Sequence, residues 1–173
     1  MSNTALAYIF IGVAVFQRLA EVVYAQRNTS ALLKRGGVEV GRNHYPVMIA
    51  LHTTWLIAIL AFLPRPTPIY WIPLVLVCLL QFARLWTIHT LGPYWTTRII
   101  NVPGAPTIKH GPYRFVRHPN YIVVVFEIAL FPLVFGEIGV AVVWSVLNAA
   151  MLWWRIREED GALASRRLLP DAG

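Results

Sequence analysis

The chain has 173 residues, of which 57% are hydrophobic and only 13% charged, with a formal net charge of +7 and a mean hydropathy of +0.57. A soluble domain carries about 25% charged side chains, so this composition excludes an ordinary aqueous globule and predicts an all-α, polytopic integral membrane protein. At roughly 20 residues per span the length holds about five helices in a single domain, residues 1–173. That leaves no room for a separate catalytic domain, so any chemistry must come from helix ends and short loops.

The first apolar stretch predicts a helix over Ala5–Ala25. It lacks the basic start and small-residue cleavage pattern of a signal peptide and reads as a retained span. Gln17, Arg18 and Glu21 interrupt it. Arg18 and Glu21 are spaced i,i+3, share a face and can neutralise one another. Ionisable groups at membrane depth turn toward the bundle interior and are functional candidates, with an ion pair that fixes helix register as the plainer alternative. The second helix, Pro46–Leu63, carries His52, which reads as a hydrogen-bonded core histidine. "PRPTP" then forms a stiff turn, because proline removes donors and restricts its predecessor.

The third helix, Ile69–His89, contains Gln81 and Arg84, which raise the same question as Arg18 and Glu21. It also holds the single cysteine, Cys78, so there is no disulfide framework and no thiolate metal cage, and no metal site is expected. Leu91–Asn120 follows, thirty residues with five prolines and three glycines. A connection of that length in a compact membrane protein is expected to be functional. The fourth helix, Tyr121–Phe135, contains Glu127 and is short for a span. With "FGEIG" and the fifth helix, Ile138–Arg157, it predicts a tight hairpin that is tilted or only partly crosses. Trp71, Trp153 and Trp154 lie near helix ends and read as interfacial anchors. At the end of the fifth helix, Glu158, Glu159 and Asp160 oppose the macrodipole at about 0.3–1 kcal/mol each unless paired. Arg155, three and four residues before the glutamates, is the expected partner.

The basic residues are not interleaved in one soluble patch, which argues against nucleic acid as a partner. Arg27, Lys34, Arg35 and Arg42 follow the first span; Arg98, Lys109, Arg114 and Arg117 follow the third; Arg155, Arg157, Arg166 and Arg167 follow the last, with Arg65 alone between the second and third. The positive-inside rule therefore places three basic segments in the cytoplasm and the N-terminus outside.

"GPYRFVRHPNY", Gly111–Tyr121, concentrates cations, aromatics and an imidazole at the mouth of the fourth helix. Gly111 and Pro112 make a turn, and Asn120 is a candidate cap for a helix starting at Tyr121. His118 and Tyr121 then lie at a helix N-terminus, which favours an anion, and Arg114 and Arg117 add charge. A basic patch on anionic lipid headgroups accounts for the arginines but not for the histidine and tyrosine. An anion-seeking helix start beside an acidic helix end suits a zwitterionic, cationic ligand. S-adenosylmethionine has the matching carboxylate, ammonium, sulfonium and adenine, and tyrosine faces favour its sulfonium.

"GPYRFVRHPNY", an apolar hairpin and then "RIREED" together resemble the isoprenylcysteine carboxyl methyltransferase family, integral-membrane enzymes that use S-adenosylmethionine. The resemblance covers about residues 91–163. It implies a cofactor site at Tyr113, Arg117, His118, Pro119, Tyr121 and Glu159, with Arg155 and Glu158 as catalytic candidates, and a lipid substrate entering sideways from the bilayer. Val123 stands where the family usually has a glycine, and the family's "FGxxYxxY" tail is missing. The front half, "QRLAEVVYAQRNTSALLKRGGVEVGRNHYPVMIALH", resembles the short bacterial branch associated with type III polyketide synthases, whose members methylate hydroxyls of alkylpyrones or alkylresorcinols. The expected activity is thus O-methylation of a phenolic or pyrone lipid in the bacterial cytoplasmic membrane, with the site facing the cytoplasm. Carboxyl methylation of an isoprenylcysteine-type substrate is the alternative. A sterol-reductase type enzyme using NADPH shares a related HPxY hairpin, and a non-enzymatic lipid-binding protein would leave the acidic helix end unexplained. No GxGxxG occurs, which excludes a soluble-type dinucleotide fold. For a phenolic acceptor, Glu158, Glu159 and His118 are candidate bases and Arg155 the candidate cation. The sequence leaves the oligomeric state open.

Overall fold

A computed structural model describes residues 2–105 and 108–167, with the side chains of Asp160 and 162–167 outside the description. The expected contributions of Asp160, Arg166 and Arg167 therefore lie outside the described residues. Five helices carry the fold: α1 (Asn3–Lys34), α2 (His44–Phe62), α3 (Trp71–Leu91), α4 (Pro119–Leu133) and α5 (Ile138–Arg167). Helices α1, α2, α3 and α5 are each long and apolar enough to cross a membrane. With 15 residues, α4 extends only about 22 Å against a hydrocarbon core of about 30 Å. It packs along α5 and α3 as the short arm of a hairpin.

Two helices run past their predicted ends. Apolar periodicity stops near Ala25, but α1 continues to Lys34 because its last turns bury Asn28, Thr29 and Leu32 against the rest of the protein. Asn28 Nδ2 donates to the carbonyls of Gly92 at 3.1 Å and Trp95 at 2.9 Å, just beyond α3. Likewise α5 continues through Glu158 and Glu159 to Arg167. The two glutamates therefore sit inside the helix rather than at its end, and the macrodipole penalty expected for them does not arise.

Two three-residue strands form an antiparallel pair, β1 (Val38–Val40) in the α1–α2 connection and β2 (Ile99–Asn101) in the α3–α4 connection. Arg98 Nη1 lies 2.7 and 3.0 Å from the two Glu39 oxygens, and its guanidinium sits 4.3 Å from the Tyr45 ring centroid. The pair thus ties the two basic connections together at one end of the bundle. At the opposite end, Arg65 bonds Tyr8 and Thr67 bonds Thr4, holding the α2–α3 turn to the start of α1.

The apolar core lies toward that second end, built by Ile11, Trp55, Ile59, Val77, Ile128, Phe131 and Phe135 among others. Midway along the bundle the isolated polar residues of three helices converge. Arg18 and Arg84 both pair with Glu127, Arg18 Nη1 lies 2.7 Å from Glu21 Oε2, and Arg84 Nη1 lies 3.3 Å from the same oxygen. Gln17 Nε2 donates to Glu21 and Gln81, each at 2.9 Å, and Gln81 Nε2 donates to Glu127 at 3.0 Å. Two cations and two anions cancel, and the amides fill remaining bonding sites, as groups removed from water require. His52 Nδ1 bonds the Met48 carbonyl one turn earlier at 2.8 Å, consistent with a core histidine.

Candidate functional site

The ends of α4 and α5 meet where the strand pair closes the bundle. Helix α4 begins at Pro119, with His118 preceding it as the cap residue, and no side chain caps the start. The expected Asn120 cap is therefore absent: a proline at the first position, with its fixed φ and missing N–H, starts the helix unaided. Asn120 instead becomes the second helical residue, and its Oδ1 is buried without a hydrogen-bond partner. The preceding 3-10 turn, Gly111–Arg114, depends on Gly111. Its φ of +57° is left-handed, and a Cβ there would fall 2.6 Å from Thr90 Oγ1.

Tyr121 is the junction of the cluster. Its hydroxyl donates to Glu159 Oε2 at 2.5 Å and accepts from Arg155 Nε at 2.8 Å. The His118 ring stacks on the Tyr121 ring with centroids 5.0 Å apart and planes 14° from parallel, and His118 Nδ1 lies 3.6 Å from Glu159 Oε2. Tyr113, outside the membrane-spanning helices, has its phenol pushed up by burial and then by the Glu159 carboxylate, so it remains a neutral hydroxyl. Pro119 is buried, while Arg117 is exposed and has no bonding partner among the described residues.

The expected pairing of Arg155 with Glu158 and Glu159 is not formed. Arg155 is 7% exposed and points across the bundle, where Nη1 lies 3.1 Å from His44 Nε2 and 3.3 Å from Met48 Sδ, both on α2. Helical spacing brings a partner within reach but does not decide between it and acceptors from other helices. Glu158 instead accepts from Trp154 Nε1 at 3.2 Å. Trp154 also meets His44 edge to face at 6.3 Å, so it is turned into the site. Of the expected interfacial anchors, Trp71 and Trp153 remain outward, 69% and 59% exposed.

His44 is the site residue the sequence reading passes over. It is 1% exposed, and its signal, a histidine beside glycine and asparagine at the start of an apolar run, carries no spacing that marks it. Gly41, at φ +63°, lets the chain turn in front of it: a Cβ there would meet His44 Nδ1 at 2.8 Å and Glu158 Cβ at 3.1 Å.

These residues fit a zwitterionic cofactor on their own chemistry. The orphaned carbonyl oxygen of Asn120 and the Glu159 oxygen not held by Tyr121 are acceptors for an ammonium group or for hydroxyls. The stacked His118 and Tyr121 rings offer a flat π face to a sulfonium or an adenine.

The chain matches the profile of the isoprenylcysteine carboxyl methyltransferase (ICMT) family over residues 71–165. It is also 36% identical over 160 residues to the uncharacterized protein YpbQ of Bacillus subtilis (strain 168), covering 90% of this chain and 95% of the relative. No solved structure matches it.

Proposed function

Because the chain belongs to the isoprenylcysteine carboxyl methyltransferase family, an assignment that makes it an integral-membrane methyltransferase, we propose that it transfers the methyl group of S-adenosylmethionine to an oxygen of a phenolic or pyrone lipid. The observation that carries the reading is the bond chain Arg155–Tyr121–Glu159. It joins the HPNY segment to the last helix at one end of the bundle and leaves a carboxylate oxygen, an aromatic face and a guanidinium edge side by side. Tyr113, Arg117, His118, Asn120, Tyr121 and Glu159 hold the cofactor, which supplies an electrophilic methyl group. The chain's own work is to align the acceptor oxygen and set its charge.

A phenol with a pKa of about 10 is a poor nucleophile until it loses its proton. Arg155 presents a fixed positive charge that favours the phenolate, and the Glu158 oxygen not held by Trp154 accepts the proton. A lipid tail suits the surroundings. Ile122, Val125 and Phe126 of α4 and Val142 and Val146 of α5 face outward as an apolar surface, and each methylene kept from water contributes about 0.8 kcal/mol. The three basic segments support a cytoplasm-facing site in the bacterial cytoplasmic membrane.

Radiolabelled methyl transfer in proteoliposomes to a series of phenolic lipids of increasing chain length tests this reading. Rates rising with tail length support it. A tailless soluble phenol reacting equally well contradicts lateral access, and transfer to an isoprenylcysteine carboxylate alone makes the acceptor a carboxylate.

A further inference from the structure

We infer that His44, in the front half of the chain and outside the segment that matches the family profile, is a positioning residue for methyl transfer: its bare Nε2 holds Arg155 so that one guanidinium edge faces the acceptor oxygen. The inference deepens the proposed function and rests on it.

Arg155 has five N–H groups and no acceptor capacity. Nε is spent on Tyr121, and Nη1 on His44 Nε2 and Met48 Sδ. Nη2 has no hydrogen-bond partner among the described residues. The guanidinium is planar and rigid, so fixing Nε from α4 and Nη1 from α2 fixes the direction of Nη2 as well. Tyr121 alone leaves the group free to rotate about that one bond. His44 supplies the second fixed point.

An arginine N–H can only donate, so the nitrogen facing it must be unprotonated. His44 therefore carries its proton on Nδ1, on the side of Gly41. A protonated ring would place two cations 3.1 Å apart and remove the acceptor. The location of His44 also gives a reason for the conformation of the α1–α2 connection. Gly41 turns with a positive φ and leaves room for the ring, while the β1–β2 pair and the Glu39–Arg98 bridge hold that connection against the end of the bundle.

The test compares His44→Phe with His44→Gln in the full-length protein in proteoliposomes. Phe keeps ring volume without an acceptor, whereas the Gln amide oxygen reaches the position of Nε2. His44→Phe should lower kcat about 10–100-fold, the scale expected for misplacing a catalytic group by about 1 Å, while S-adenosylmethionine affinity stays within about threefold. His44→Gln should recover most of the rate. A His44→Phe enzyme with wild-type kcat, or a Gln variant no better than Phe, overturns the inference. If wild-type protein transfers no methyl group to any lipid, the proposed function fails instead. In that event, or if His44→Phe does not fold, nitrogen NMR of 15N-histidine-labelled wild-type protein decides whether the bond exists. The resonances deleted by His44→Gln should pair a protonated Nδ1 with a bare Nε2. A protonated Nε2 overturns the inference.

Discussion

Glu127 is the point on which the intramembrane network depends, and its removal gives the sharpest stability prediction. Glu127→Gln keeps the shape of the side chain but leaves Arg18 and Arg84 with Glu21 as their one anionic partner among the described residues. The Arg84 and Glu127 side chains are 5% and 7% exposed, so neither is rescued by water. Breaking a buried pair while leaving its partner in place costs about 3–5 kcal/mol. Arg18, 23% exposed, escapes part of that penalty, which places the expected loss at the lower end, about 3 kcal/mol. At about 2–4 °C per kcal/mol for a chain of this size, the midpoint of thermal unfolding should fall by about 6–12 °C. Circular dichroism of the purified variant in micelles measures this. Arg18→Gln placed on top of Glu127→Gln should restore part of the loss, because it removes the uncompensated cation. A drop below about 2 °C, with no coupling between the two substitutions, would mean that the network contributes little and that the three helices are held by apolar packing alone.

The other predictions concern the site and its orientation. Tyr121→Phe should leave the protein folded but lower the transfer rate about tenfold or more in initial-rate assays, because Arg155 Nε and Glu159 both lose a partner in a partly buried site. Glu137, 6% exposed in the α4–α5 turn, has neither carboxylate oxygen hydrogen-bonded, and burial raises its pKa from 4.5 to about 7. The folded state therefore holds a proton that the unfolded state releases between those values, so Glu137 contributes a decline in stability as pH rises from about 4.5 through 7. Glu137→Gln should abolish that slope in unfolding curves measured across the window, and an unchanged slope would refute the assignment. On a Cys78→Ala background, cysteines placed at Asn3 and Pro103 should react with impermeant maleimide from opposite sides of the membrane; labelling from one side contradicts the topology.

Much of this architecture is legible in local pattern. The spans follow from apolar length, the hairpin from "FGEIG", and the pairing of Arg18 with Glu21 from i,i+3 spacing. Local pattern does not say which distant helix completes a pair. That Arg84 and Glu127 close the same network depends on helix packing, and so does the turning of Arg155 away from its own glutamates toward Tyr121 and His44. His52 stands alone in an apolar run, yet among the described residues it bonds its own helix alone, whereas His44 in polar surroundings reaches the site. Val38–Val40 and Ile99–Asn101 are too short for alternation to mark them as strands, and the continuation of α1 past Ala25 depends on where Asn28 finds its carbonyls. Gly41 is readable only once His44 and Glu158 are seen against it.

Calorimetric titration of purified protein in micelles with S-adenosylmethionine and, separately, with NADPH separates methyl transfer from reduction at this site. Methyl transfer at this site requires saturable binding of S-adenosylmethionine at one site per chain, weakened about tenfold or more in both His118→Ala and Glu159→Ala, since a hydrogen bond to a charged group contributes about 1.5–3 kcal/mol, and no saturable binding of NADPH. Saturable NADPH binding with none of S-adenosylmethionine, or S-adenosylmethionine affinity unchanged in both variants, would contradict it.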